Sequence, residues 1–387
     1  ATWARSRDIV AARLSWDRAR AIADAQATDD PDREGMRIAP RTMLCATDYR
    51  VRAHDAANRF DELRQLCCTA GDKVSVAVAM AGLVMDRAYQ GQIRQASRLA
   101  SEAMALIESL ADATLTVGLS FPAIYAKIEA GEYTDVLQWS QRMIDLANGD
   151  PFKGNIIFGS PLALALASRA TARYCLGRPE WRGDLRDGLH LAHSADPLTY
   201  AAVVAWGYFP TIAHGVLAAD DRALREIEDA LGIAEQSGND MALSFARFAL
   251  GIALVHRPSA GDQDRGRELL GEVSGVFHSQ RHNLGDRPLA EVYSAQERAR
   301  SGDRDAAIPL MRAAVDQLAQ QAVVGRLADA PAGDALVIRD IWLLRLRALL
   351  AGARGDEAEY RDYRDRYRAM ATRFDFEGHL KWAEEML

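Results

Sequence analysis

Cysteine is scarce in this chain: Cys45, Cys67, Cys68 and Cys175 are the four present in 387 residues. So few thiols, two of them vicinal, exclude a disulfide framework and fit reduced side chains in a cytoplasm. Proline is sparse as well, with 12 residues that fall mostly between apolar-periodic stretches. Period-2 apolar runs are missing, as are Asn-Gly or Asp-Gly hairpins between β-branched runs, so nothing argues for a sheet. A basic surplus is lacking too. The formal net charge is −7, which speaks against a nucleic-acid surface.

The motifs that carry chemistry are also absent. No G-x-x-x-x-G-K-[ST], G-x-G-x-x-G, H-E-x-x-H, C-x-x-C or G-x-S-x-G occurs. His278 with His282, and His190 with His193, have spacings that share a metal in other proteins. Neither pair has an obvious third ligand, so they read as exposed or capping histidines, and no cofactor is expected. From Pro197 to Ala219 there is no Asp, Glu, Lys or Arg, a run long enough to span a membrane. Gly207, Pro210 and His214 dilute it, and it reads instead as a buried central helix. The opening Ala-Thr-Trp-Ala-Arg-Ser-Arg has neither an initiator Met nor a signal peptide, and suggests a piece of a longer protein.

What the chain does have is helix-forming residues in a repeating frame. Apolar residues make up 49%, enough to bury a continuous core. Gly91, Gly131, Gly177, Ala219, Gly261, Gly302 and Gly355 each close one helical pattern before another opens, at intervals of 40, 46, 42, 42, 41 and 53 residues. Such a period marks an array whose units bury their apolar faces only on their neighbours. The clearest unit pairs Val74, Val78, Ala81, Val84 and Met85 on one helix with Ile93, Ala96, Leu99, Ala100, Ala103, Leu106 and Ile107 on the next.

Further pairs are predicted at Thr114–Ala130 with Thr134–Ala147, Leu162–Leu176 with Trp181–His193, and Leu198–Ala218 with Arg222–Gln236. Met241–His256 with Arg265–Phe277, Leu289–Arg300 with Asp305–Gln320, and Leu336–Ala351 with Glu357–Phe374 follow. Gln321–Asp334 is predicted as a long loop. The fold expected is all-α: a right-handed α-solenoid of about eight helix pairs. Residues 1–72 continue the array as softer helices (Arg5–Ala27, Arg33–Val51, Ala56–Thr69), 73–375 form the repeats, and 376–387 form a C-terminal capping helix.

Two features point to a binding face. Phe121-Pro122 is echoed by Phe209-Pro210, each proline nine residues before its turn mark (131 minus 122; 219 minus 210). A proline within a helix bends it and frees a carbonyl, so the echo suggests built-in curvature or a ligand contact. In stacked hairpins the first helix of each pair lines the concave side. Counting back 13, 10, 6 and 3 residues from the turn marks returns Phe121, Tyr125, Tyr174, Trp206, Phe209, Trp342 and Arg345 as candidate ligand-binding residues. Arg169 and Arg173, one turn apart, add a candidate anion-holding edge. The alternative for the rings is packing between adjacent repeats.

Ala88-Tyr89-Gln90-Gly91 followed by Ala96, and Ala130-Gly131-Glu132-Tyr133, resemble tetratricopeptide-like repeats at a longer period. The ending Phe374-Asp375-Phe376-Glu377-Gly378-His379-Leu380-Lys381-Trp382-Ala383-Glu384-Glu385-Met386 is similar to the C-terminus of actinobacterial multidomain signalling proteins. In those, a class III adenylate cyclase domain and an NTPase domain precede a tetratricopeptide-like region. Related LuxR-type large ATP-binding regulators carry a similar region before a DNA-binding helix-turn-helix. This chain departs from the full pattern: it lacks the phosphate loop, a cyclase segment and a helix-turn-helix after Leu387.

The resemblance therefore implies a sensor or scaffold part, with no catalytic residues to carry over. The expected function is a non-enzymatic regulatory module that binds a protein, peptide or small effector and relays it to attached cyclase or NTPase domains. Neither direct nucleic-acid contact nor membrane insertion is expected. The alternatives are an enzyme with its site inside a helical toroid, and a purely structural dimerisation arm.

Overall fold

One local device builds most of the turns. A computed structural model of the chain describes residues 9–26, 32–51, 55–156, 159–237, 240–279, 308–309, 312 and 336–386. At Gly91, Gly131, Gly177 and Gly355 the backbone is left-handed, with φ of 70°, 73°, 66° and 77°, a conformation that disfavours any side chain. The next residue then donates its amide five positions back. Gln92 N reaches Arg87 O at 3.0 Å, Glu132 N reaches Lys127 O at 2.9 Å, Arg178 N reaches Arg173 O at 2.7 Å, and Asp356 N reaches Ala351 O at 3.0 Å. These bonds satisfy carbonyls that a helix end leaves unpaired, and they stop the helix. Side chains cap several helix starts. Asp72 accepts from Ser75 N, Asp112 from Thr114 N and Leu115 N, and Asp196 from Leu198 N and Thr199 N.

The helices in chain order are α1 (Ile9–Asp24), α2 (Arg33–Ala46), α3 (Asp48–Val51), α4 (Ala56–Ala70), α5 (Lys73–Tyr89) and α6 (Ile93–Ser109). Then come α7 (Ala113–Ala130), α8 (Tyr133–Ala147), α9 (Pro161–Cys175), α10 (Trp181–His193), α11 (Pro197–Ala213) and α12 (Asp221–Ser237). The last are α13 (Asp240–Val255), α14 (Ala260–Ser279), α15 (Val337–Arg354), α16 (Glu357–Phe374) and α17 (Glu377–Glu384). No strand occurs among the described residues. The expected helices Leu289–Arg300 and Asp305–Gln320, the turn at Gly302 and the loop Gln321–Asp334 lie outside the described residues, apart from positions 308, 309 and 312.

Helices adjacent in sequence pack as pairs, and the first helices also touch one another in order: α5 with α7, α7 with α9, α9 with α11, and α11 with α13. The residue pattern explains the difference between the two rows. In α6 the buried positions Ala96, Ala100, Ala103 and Ile107 form one stripe, as a helix with one covered face requires. In α7, by contrast, Thr116 through Lys127 are all buried, and α11 is apolar nearly all round. Helices of the first row are covered on several sides, so they carry few charges. Alanine dominates the contacts; Ala77, Ala96, Ala163, Ala201 and Ala253 are fully enclosed and let backbones approach closely.

Three turn expectations are corrected. The turn expected at Ala219 forms at Gly215, where φ is 72° and Val216 N bonds Thr211 O at 2.8 Å. Helix α11 therefore stops at Ala213, and the rest of the uncharged run is non-helical chain. The proline echo dissolves with it: Pro122 stands nine residues before Gly131 (131 − 122), but Pro210 stands five before Gly215 (215 − 210). Gly261 lies inside the first turn of α14, so that connection is Val255 to Ala260.

The C-terminal helices depart from neighbour-only stacking. Helix α15 touches α9, and α17 docks on the chain released after α11. Glu377 N donates to Val216 O at 3.0 Å and His379 N donates to Gly215 O at 2.9 Å. Arg182 of α10 donates to Asp375 O at 2.8 Å. The expected cap thus covers the middle of the chain as well as its own pair. No described helix is long and apolar enough to cross a membrane.

Candidate functional site

The first-row helices bring four of the expected residues together. Phe121 and Tyr125 of α7 face Trp206 and Phe209 of α11, across a floor of Leu164, Ala167, Ser168 and Thr171 from α9. Because Ala167, Ser168 and Thr171 on α9 are small, the Trp206 ring passes over that helix to reach Phe121, with centroids 4.9 Å apart, and Tyr125, at 5.6 Å. Helix α13 closes the far side: Phe245 lies 5.4 Å from Trp206 and Phe248 lies 4.5 Å from Phe209. On the near side the rings continue through Tyr89 and Tyr49, at 5.4 Å and 5.8 Å. Five elements separated in sequence thus share one column of aromatics. Centroid spacings of this size are those at which rings attract beyond their area burial.

The column encloses a recess of about 50 Å³, lined also by Ile128, Glu129, Ala205 and Pro210. Phe121 and Tyr125 are buried within it, while Trp206, Phe209 and Glu129 keep part of their surface exposed. A wider depression of about 650 Å³ lies over the loop after α8, beside Phe152, Lys153 and Asn155. Its walls are mostly loop, with one ring, and it has no convergent set of side chains.

Phe245, Phe248, Glu129 and the α9 floor are absent from the residues expected. Phe248 was within numerical reach of the same count, 13 before Gly261, although no turn forms there. The floor was not, because small residues give no signal of their own.

Five expected residues lie elsewhere. Arg169 and Arg173 both meet Asp184 of α10: Arg169 Nε bonds Asp184 Oδ2 at 2.9 Å and Arg173 Nη1 lies 2.8 Å from the same oxygen. Arg169 also donates to Gln141 Oε1 at 2.7 Å. They strap α8, α9 and α10 together and form no free anion-holding edge, since Asp184 pairs with both and Glu180 with Arg173. Tyr174 is fully buried; its hydroxyl is 3.3 Å from His214 Nδ1 and its ring packs against Trp181.

Trp342 and Arg345 belong to a second cluster under α17, with Trp382, His379, Tyr367 and Phe376. Trp342 Nε1 donates to His214 O at 3.2 Å, and Tyr367 Oη is 2.8 Å from His379 Nδ1. His379 is fully enclosed, and burial, aided by the Arg345 charge, holds its pKa well below the usual histidine range. His214 keeps a minor accessible edge, but the packing around its ring desolvates it and lowers its pKa to about 4.

Other charged groups are structural. Lys127 is buried, accepts no water-facing role and ties α6, α7 and α8 through Ser97 Oγ at 3.0 Å, Asp135 at 3.1 Å and Glu132. Asp48 is enclosed between Arg13, at 2.6 Å, and Arg59, at 3.2 Å, and burial raises its pKa. His190 and His193 are exposed, with His193 Nε2 3.5 Å from Asp229. The side chains of His278 and His282 lie outside the described residues. No group of three or more His, Cys, Asp or Glu placed to hold a metal occurs among the described residues. All four cysteines are free, and Cys68 alone is exposed. No family model matches the chain, and no characterised protein matches it either.

Proposed function

We propose that this chain is a binding and relay module, a right-handed α-solenoid of about eight tetratricopeptide-like helix pairs. Its first helices line the concave side and receive a protein, peptide or small effector. The signal passes to attached signalling domains of the cyclase or NTPase kind. The observation that carries this reading is the aromatic recess: α7, α9, α11 and α13 each bring side chains to one place. Apolar recesses with a few polar groups are the usual seats of ligands.

The connection between the two clusters supports a relay. Helix α11 carries Trp206 and Phe209 in the recess and ends at His214–Gly215 beneath α17. Helix α9 floors the recess and ends with Tyr174 against His214. A ligand that shifts either helix shifts the seat of the C-terminal segment, as two-state transmission requires.

The test is a thermal-shift and pull-down screen of the purified chain beside Trp206→Ala and Phe245→Ala. A ligand at a hundred times its Kd stabilises the folded state by about 2.7 kcal/mol, a rise in Tm of several degrees that both variants should lose. The reading fails if nothing stabilises or captures the chain, or if every hit survives both substitutions.

A further inference from the structure

Helix α1 shows solvent a different surface from the other outer helices. Among the described residues seven large apolar side chains are exposed, and three of them, Val10, Leu14 and Ile22, belong to α1, at 59%, 55% and 65%. Helix α6 exposes Arg94, Arg98, Glu102 and Glu108 instead, as a solvated helix face does. Helix α16, at the other end of the described helices, exposes Arg361, Asp362, Asp365 and Arg366. Of these three helices α1 alone turns an apolar stripe outward.

Buried bonds fix that orientation. Ala12 and Ala23 are buried on the opposite side. Arg13 donates to Leu44 O at 2.7 Å and to Asp48 Oδ1 at 2.6 Å. Asp24 accepts from Arg37 at 3.1 Å and from Arg41 at 2.8 Å. With α1 held this way, Val10, Leu14, Ala21 and Ala25, all exposed, fall within about 60° of one another at about 100° per residue. Ile22 flanks them.

The stripe is complementary to itself. Its sizes run large, large, small, small, and its midpoint lies between Asp17 and Arg18. Turned end over end about that midpoint, it sets Val10 against Ala25 and Leu14 against Ala21. Large side chains then meet small ones at every step, which lets two helices interdigitate at close approach. Asp17 and Arg18 carry opposite charges, and Arg20 Nε lies 3.2 Å from Asp17 Oδ1. The midpoint therefore presents both signs, and no like-charge field opposes the contact. A head-to-tail contact lacks this match, because it would set the stripe on the charged side chains of α16.

We infer that α1 docks a second copy of this chain, packing antiparallel on its counterpart across a two-fold axis. Such a contact is isologous and closes on itself. It lies outside the aromatic recess and is independent of the binding role proposed above. One helix against one helix buries less than a standard interface, so association is weak and depends on concentration.

The experiment is sedimentation velocity of the full chain from low to high micromolar concentration, over which monomer should give way to dimer. Leu14→Asp enters a two-fold contact twice and should raise the dissociation constant by about 100-fold. Its circular dichroism should match the parent, because Leu14 is 55% exposed. Phe152→Asp, at an exposed ring outside α1, should leave association unchanged. Cys68 is the exposed cysteine, so Arg18→Cys is made in a Cys68→Ser background. Mild oxidation should then join two copies through residue 18, since a residue beside a two-fold axis faces its own counterpart. A chain that stays monomeric throughout overturns the inference, as when another segment or a different protein covers this face. A dimer that survives Leu14→Asp, or that yields no cross-link at residue 18, overturns it as well.

Discussion

Trp206 and Trp342 occupy opposite kinds of aromatic cluster. Trp206 joins helices that follow one another at intervals near 40 residues, touches rings from α7 and α13, and keeps an exposed edge. Trp342 is 3% exposed and bonds a carbonyl 128 residues earlier in the chain. Around it lie Arg345, His379 and Trp382, so the second cluster is filled by its own cation and lidded by α17. The number of rings is thus no guide to a site. Closure converts rings into stability, whereas the recess leaves part of its ring surface uncovered.

The largest effect expected is on that contrast itself. Trp342→Ala should lower the unfolding free energy by about 4 kcal/mol, and Trp206→Ala by only about 1–2 kcal/mol, because a partly exposed ring beside an existing void gives up less. Urea unfolding monitored by circular dichroism measures both. Equal losses would erase the distinction between a closed cluster and an open one.

Acid should strike the closed cluster selectively. The folded-state pKa values of His379 and His214 are lowered, so the unfolded chain binds more protons below the ordinary histidine value. Their contribution to stability is present above about pH 6.5 and is lost as pH falls toward 4. Each imidazole then costs up to about 1.4 kcal/mol per pH unit below 6.5. Asp48 and Asp86, whose pKa values burial raises, act with the opposite sign, so the useful measurement is a difference. His379→Phe should flatten the loss between pH 6.5 and 5; identical profiles for both proteins would refute a neutral, enclosed His379. Trp206 fluorescence in the recess should not follow this titration.

A smaller effect is expected at the joint between the clusters. A Cβ at residue 215 would lie 2.4 Å from the Trp382 ring, at a φ of 72°. Gly215→Ala should cost about 2 kcal/mol from the left-handed backbone and the displaced indole together. An alanine variant as stable as the parent would show that α17 does not depend on this seat.

Several features were legible because their causes are local. The glycine turns at 91, 131, 177 and 355 form through bonds within six residues, so a glycine between two periodic stretches is a sufficient sign. The alternating row of one-faced and all-round apolar helices is likewise written in residue spacing. Ala219 misled because an uncharged run of 23 residues (219 − 197 + 1) looks like one continuous helix. Its last residues instead present Gly215 O and Val216 O to α17, a purpose that exists only once a distant segment has arrived. Arg169 and Arg173 look like a free cationic edge until α10 places Asp184 opposite them. Phe121 and Tyr125 were found by period, Trp206 and Phe209 only by counting from Ala219, where no turn forms, and the small residues of α9 that let Trp206 cross were invisible.

The order of the helices, their pairing and their covered faces were therefore determined by the sequence alone, since capping bonds and apolar stripes act over one or two turns. Which rings remain open and which are sealed was decided only by tertiary structure. That choice depends on the C-terminal segment bonding to chain 128–195 residues away, and contacts across such separations leave no periodic trace.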